Sequence, residues 1–344
     1  EVKFLEDIEI PGCWLGGVVR SEVPRGVVRK IETLPAFAET GAVLVTAEDI
    51  PGENYVAIVR SDYPALAAPA VNYATQAVAL VAAPDAESLK RAMAAVVVEI
   101  EPLPPIFTVE ESAARKELIW GEDNCIDHYH TERGDLRKGF AEADVVVEGE
   151  WETGLQEQMY LETQGMAAWR AGDGIELLGS LQCPFYVVNA VAAALGLPHE
   201  KVTVRQSATG GDYPSILGVY AALLAWKSGK KVKIVYDRSE DLLVSPKRHP
   251  SKSRYRMGLT KDGKITALDA EIKLDAGAYT TLTRVVLQRT HLHAAGCYYV
   301  PNVRVRSSAW ATNTPPNGAF RGFGAPQTFF AVEMMMDHIA KDLG

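Results

Sequence analysis

The segment Asn317-Gly318-Ala319-Phe320-Arg321-Gly322-Phe323-Gly324-Ala325-Pro326-Gln327 places glycines and a positive charge just ahead of a proline that opens a helix. Glycines let backbone N–H groups approach a bulky ligand, and a helix start favours negative charge, so the segment suits an anionic group. Taken alone, a structural turn accounts for the same residues. His128 and His130 flank Tyr129, and His291 and His293 flank Leu292. On a strand each pair would share one face and could bind a metal, yet two histidines at this spacing more often serve structure or face solvent. Glu148, Glu150, Glu152, Glu157 and Glu162 supply many carboxylates, which along a strand usually form a solvated face. The chain has neither a G-x-x-x-x-G-K-[ST] phosphate loop nor a G-x-S-x-G elbow, so nucleotide hydrolysis and serine esterase chemistry have no motif support.

The elements that must position these residues alternate between strand and helix patterns. Residues 42–45 and 77–81 read as buried strands, and Asp85 is a candidate cap for a helix through Met93, with a strand resuming over 96–101. That is a strand–helix–strand unit, which Pro102, Pro104 and Pro105 end. The polar stretch 106–130 reads as a connecting arm, with a separable domain over 1–105 before it and a second over 131–344 after it. Within the second, strands are expected at 145–152, 175–181, 201–205 and 232–236, and helices at 184–195, 215–227 and 326–343. Asp262-Gly263 favours a tight hairpin turn. The fold class is α+β.

Composition narrows the function classes. The 344 residues carry 35 Lys plus Arg against 44 Asp plus Glu, a formal charge of −9, and an acidic excess argues against a nucleic-acid binder. Charged residues interrupt every apolar run, so no spanning helix and no membrane role are expected. Cysteines at 13, 125, 183 and 297 contain no C-x-x-C pair, and idle thiols in a reducing compartment are expected. Position 1 is Glu with no secretory leader after it, and the cytoplasm is the expected location.

Ala319-Phe320-Arg321-Gly322-Phe323-Gly324-Ala325-Pro326-Gln327 resembles a signature of the molybdenum-binding subunit of the xanthine dehydrogenase and aldehyde oxidase family. Phe4 to Ile8 with Pro11-Gly12, Gln156 to Thr163, Ser180-Leu181-Gln182, Asp237 to Asp241 with Arg248-His249-Pro250, and Asp275 to Tyr279 follow in the family's order. The resemblance implies an N-terminal α/β hammerhead domain followed by the first of two molybdopterin-binding mixed α/β domains. It implies an enzyme that hydroxylates an electron-poor carbon of a purine-like N-heterocycle, with water as oxygen source. Electrons would leave through [2Fe–2S] clusters to FAD on partner subunits. The cofactor implied is molybdenum–molybdopterin in its cytosine dinucleotide form, the metal held through the pterin dithiolene and not by a side chain.

By the same resemblance Gln182 matches a glutamine that hydrogen-bonds a molybdenum oxygen, and Gly210 and Gly211 begin a cofactor-lining loop. Phe320, Arg321 and Gly322 match the loop beside the dithiolene, Phe323 the aromatic that stacks on substrate, and Arg289 the arginine that stabilises charge on a purine. Two departures matter. After Gly211 the chain runs straight into Asp212, six residues short of the family's Gly-Phe-Gly-Gly-Lys-Glu pattern. The second cofactor domain and the glutamate base are expected beyond Gly344 or on another polypeptide, leaving this chain alone a half-site without turnover. The alternatives are an aldehyde-oxidising member, against which Arg289 counts, and a catalytically silent scaffold that has lost the cofactor loop.

Overall fold

A computed structural model describes residues 2–56, 58–210 and 215–343. In chain order the elements begin with β1 (Cys13–Arg20), β2 (Gly26–Thr33), β3 (Val43–Val45), β4 (Ala70–Val71), β5 (Ala77–Ala83), α1 (Ala86–Ala94) and β6 (Val96–Pro102). Then come α2 (Val109–Ala113), β7 (Cys125–Arg133), α3 (Leu136–Ala141) and β8 (Val145–Thr153). They continue with β9 (Gly165–Ala171), β10 (Gly174–Gly179), α4 (Pro184–Leu195), β11 (Val202–Gln206), α5 (Ser215–Ser228), β12 (Lys231–Val235) and α6 (Arg238–Val244). The last are β13 (Ser251–Leu259), β14 (Ile265–Gly277), α7 (Thr283–Leu292), β15 (Asn302–Ala311) and α8 (Ala325–Leu343). The fold is the expected α+β mixture.

The first compact unit comprises Glu1–Pro105, Met159–Ser245 and Asn313–Pro315. Its seven-stranded sheet has the order β11-β10-β9-β12-β1-β5-β3. β1 pairs in parallel with β12, Trp14 opposite Val232, and antiparallel with β5 on its other edge. Val18 and Leu80 from the first hundred residues share one apolar core with Leu177, Leu217, Leu224 and Val232. The early strands are thereby completed by a strand from far down the chain. The strand–helix–strand succession is present as β5, α1 and β6. Asp85 does cap α1, accepting from Ser88 N–H at 2.8 Å, but β5 and β6 lie in different sheets. Every residue of β5 is buried, as suits an inner strand, whereas β6 alternates and joins β2 and β4 in a separate three-stranded sheet.

The second unit comprises Ile106–Gln158, Pro246–Thr312 and Pro316–Gly344. Its five-stranded sheet has the order β7-β15-β14-β13-β8. The stretch expected as an arm, 106–130, supplies α2 and the start of edge strand β7, which runs antiparallel to β15. β13 and β14 form the hairpin expected at Asp262-Gly263, closed by Thr260 N–H to Lys264 O at 2.9 Å. Along β13 burial alternates: Tyr255 and Met257 face the interior, while Lys252, Arg254 and Arg256 face outward. Those cations pair with Glu152, Glu150 and Glu148 of β8 directly across the ladder, the solvated carboxylate face expected for these three residues. α8 buries Val332, Met335 and Ile339 and leaves Phe329, Phe330 and Met334 exposed. Among the described residues no helix is long and apolar enough to cross a membrane.

Candidate functional site

In the second unit the loop between β15 and α8 is held at both ends. Asn317 donates from its backbone N–H to Ala276 O at 2.9 Å and from its side chain to Asp275 O at 3.0 Å, which fixes the loop to the end of β14. Gly324 has φ +100°, and a Cβ there would stand 2.2 Å from Val286 O and 2.6 Å from Thr290 Oγ1. Only glycine permits that close approach to α7, and it sets the loop against the helix that carries Arg289. The consequence is visible one residue earlier: the Arg289 guanidinium carbon lies 3.9 Å from the centroid of the Phe323 ring. Between these anchors Arg321 and Gly322 are exposed and Phe320 is half-buried, with Gly322 at φ +87°. The structure therefore brings Phe320, Arg321, Gly322, Phe323 and Arg289 together.

Beneath this loop lie Arg248 and His249, a pair that the sequence marked by resemblance without giving it a role. Arg248 is 8% exposed and donates through Nε to Gln156 Oε1 at 2.6 Å and through Nη2 to Arg321 O at 3.0 Å. Burial pushes its pKa below the ordinary arginine value. His249 is fully buried and its Nε2 meets Thr283 Oγ1 at 2.8 Å. Burial above all, reinforced by the Arg248 charge and opposed by contact with the Gly318 backbone, holds its pKa down to about 3, so the ring is neutral.

In the first unit one carboxylate does the corresponding work. Glu162 Oε2 accepts from Ser180 Oγ at 2.8 Å and from Gly210 N–H at 2.6 Å, while Oε1 accepts from Leu5 N–H at 3.3 Å. Thr209 Oγ1 accepts from Leu181 N–H at 3.3 Å. The turn Ser180-Leu181 and the loop end Thr209-Gly210 are thus stitched together, and Gln182 stands exposed at the edge of that seam, just before the residue that opens α4. Gly211 and Asp212 lie outside the described residues.

Several expectations are corrected by placement. His291 is on helix α7 and His293 caps its C-terminal end; neither is on a strand. His291 is 9% exposed and bonds Thr131 Oγ1 at 2.8 Å and Ser307 Oγ at 2.9 Å, a structural role. Glu157 and Glu162 do not belong to the carboxylate face of β8: Glu157 pairs with the buried Lys247 at 2.5 Å, and Glu162 is the seam just described. Among the described residues the four cysteines form no disulfide, and Cys183 and Cys297 are exposed. Glu162 and Arg248 are the residues whose importance sequence reasoning missed; their partners lie between 18 and 157 positions away, so spacing carries no signal.

Family comparison agrees with this geometry. Residues 1–104 match the aldehyde oxidase and xanthine dehydrogenase a/b hammerhead domain, and residues 121–344 match the molybdopterin cofactor-binding domain. The chain is 35% identical over 99% of its length to the nicotinate dehydrogenase large molybdopterin subunit of Eubacterium barkeri, spanning 82% of that protein. It is 34% identical over 100% of its length to a probable xanthine dehydrogenase subunit of Bacillus subtilis, spanning 47% of it. Among solved structures it resembles the aldehyde oxidoreductase of Desulfovibrio gigas with a TM-score of 0.93 and 26% identity, covering 100% of this chain and 40% of that one. The chain belongs to the xanthine dehydrogenase and aldehyde oxidase family of molybdenum hydroxylases, with a hammerhead domain and a molybdopterin-binding domain.

Proposed function

We propose that this chain supplies part of the molybdenum–molybdopterin site of an enzyme that oxidises a purine-like N-heterocycle. The observation that carries the reading is Arg289 stacked against Phe323, a cation and an aromatic plane presented by one helix and one loop. The residues fit an anionic cofactor. Arg321 is an exposed cation, Gly322 exposes its backbone, and Arg248 Nη1 is buried without a hydrogen-bond partner among the described residues. Phe320, Arg321 and Gly322 would contact the cofactor, and by the family resemblance Gln182, Gly210 and Gly211 would contact it too. When bound, the cofactor supplies oxygen transfer to an electron-poor carbon and takes up two electrons.

The chain's own residues orient the substrate and stabilise its charge. A planar ring can lie on Phe323 by taking the face opposite Arg289 or by displacing the guanidinium edgewise. In the second pose Arg289 lies at the ring edge, within reach of the negative charge that grows on the heterocycle, which it stabilises more in the transition state than before reaction; in the first the Phe323 ring stands between them. The cytosine dinucleotide form of the pterin, a chain bearing the second cofactor domain, iron–sulfur and FAD subunits, and a cytoplasmic location complete the reading. A second substrate class, a pyridine carboxylate, is favoured by the similarity to nicotinate dehydrogenase across 99% of this chain, and Arg289 would then face the carboxylate.

The test is turnover per bound molybdenum in the complete enzyme, for a purine, a pyridine carboxylate and a small aldehyde, with Arg289→Leu. Loss of this donor should cost the charged-ring substrate on the order of 10²–10³ in kcat and leave the aldehyde near the parent rate. An equal effect on the aldehyde would remove the support for a heterocycle. Absence of molybdenum from the purified enzyme would favour the silent scaffold instead.

A further inference from the structure

We propose that Arg248 and His249 are positioning residues: one dipeptide sets the Phe320–Gly322 loop and the helix bearing Arg289 in register with each other. The inference rests on the functional reading above, which places cofactor beside that loop and substrate beside Arg289.

Two adjacent residues gather four segments. On the Arg248 side, its backbone N–H donates to Gln156 O at 3.0 Å, and Gly318 N–H donates to Lys247 O at 3.0 Å. Residue 248 is thereby bridged on one side by 156 and on the other by 318, a three-segment β contact outside any regular strand. The side chain repeats the link: Nε goes to Gln156 Oε1, Nη2 goes to Arg321 O, and the guanidinium plane lies 4.2 Å from the Phe320 ring centroid. Backbone and side chain thus both grip the loop. On the His249 side, Nε2 meets Thr283 Oγ1 in the first turn of α7, and the carbonyl accepts from Gln327 Nε2 of α8 at 3.1 Å. Arg289 lies six residues after Thr283 on that same helix.

The residue types suit the task. A guanidinium presents fixed, coplanar donors and a flat face at once, whereas lysine offers one point charge on a flexible stem. Arg248 has no ion-pair partner among the described residues, so its charge is held by two oxygens and an aromatic face and not by a carboxylate. Burying a cation in that way is costly unless its geometry is used. A neutral imidazole, fixed by its hydroxyl partner, gives the second residue one orientation.

The test uses the complete enzyme and three readouts: bound molybdenum, turnover per molybdenum, and the electron paramagnetic resonance signal of the partly reduced metal. A misplacement of about 1 Å can cost on the order of 10²-fold in rate, so His249→Gln and Arg248→Lys should each lower kcat per molybdenum by about tenfold or more with KM little changed. Arg248→Lys should also alter the resonance signal, because the loop carbonyl at 321 loses its donor. A double variant separates positioning from general support. If His249 acts through the Arg289 helix, His249→Gln combined with Arg289→Leu should be no slower than Arg289→Leu alone, since misplacing an absent guanidinium costs nothing further. Fully multiplied losses in the double variant, with an unchanged resonance signal in Arg248→Lys, would overturn the inference while leaving the functional reading intact. If His249→Gln does not accumulate, Arg248→Lys alone decides, through its signal and its rate. An Arg289→Leu enzyme with undiminished heterocycle turnover would overturn the functional reading and this inference with it.

Discussion

Along β5 every residue from Ala77 to Ala83 is buried, whereas along β13 burial alternates and Lys252, Arg254 and Arg256 face water. The difference extends to how each unit ties down its candidate loops. In the first unit β5 is covered on both faces, and the loop ends at Ser180 and Gly210 are tied by Glu162, a half-exposed carboxylate. In the second unit the sheet has one wet face, and the site loop rests on Arg248 and His249, polar groups taken out of water. At these loops the first unit keeps its polar tie half-exposed and the second keeps it inside, where unmet polar groups are costly and the arrangement is correspondingly sensitive to charge.

The sharpest way to break this contrast is acid. His249 has its folded pKa depressed to about 3 from an ordinary 6.5, so its stabilising effect is complete above about pH 6.5 and is lost as pH falls toward 3, because only the unfolded chain takes up the proton. Between pH 6.5 and about pH 4 the loss should be roughly 3 kcal/mol. Urea unfolding at both pH values should show that slope in the parent chain and a flatter one in His249→Gln; equal slopes would mean that the ring is not buried and neutral. Smaller is the effect expected for Glu162→Ala, which strips a charged acceptor from Ser180 Oγ and the Gly210 and Leu5 N–H groups. About 2 kcal/mol of stability should go, with molybdenum lost more readily on gel filtration of the complete enzyme. Retention of both would show that the seam at 180 and 210 does not need its carboxylate. Smallest is Arg254→Ala on the wet face of β13: its pair with Glu150 has side chains 64% and 73% exposed, and the urea midpoint should move by no more than about 0.5 kcal/mol equivalent. A larger change would mean that the ionic rows across the five-stranded sheet act as a network.

Local periodicity found most single elements. The expected α4 over 184–195 matches the helix observed, β5 and α8 were plain from their apolar spacing, and Asp262-Gly263 marked its hairpin. β7 was hidden because Cys125–Arg133 is an edge strand whose outward residues, His128, His130 and Glu132, are polar, so its composition reads as a linker. The division into units was illegible for a different reason. Trp14 pairs with Val232, and no window of sequence contains both. At the site, Phe320 to Phe323 came from a nine-residue signature and Arg289 from the wider family resemblance. That Gly324 presses the loop onto α7, or that Arg248 reaches Arg321, depends on distances between segments that only a folded chain defines.

The parallel pairing of β1 with β12 also orders events during synthesis. β1 is complete as soon as residue 20 leaves the ribosome, yet its second neighbour ends at Val235. With elongation at about 5–20 residues per second, the nascent chain waits on the order of ten seconds or more with β1 paired only to β5 and its other edge open. An unpaired apolar edge is a template for misassociation, and contacts so distant in sequence form slowly even once both partners exist. The early strands of this chain therefore depend on shielding, by a chaperone or by transient cover from neighbouring segments, until the translation of β12 closes the sheet.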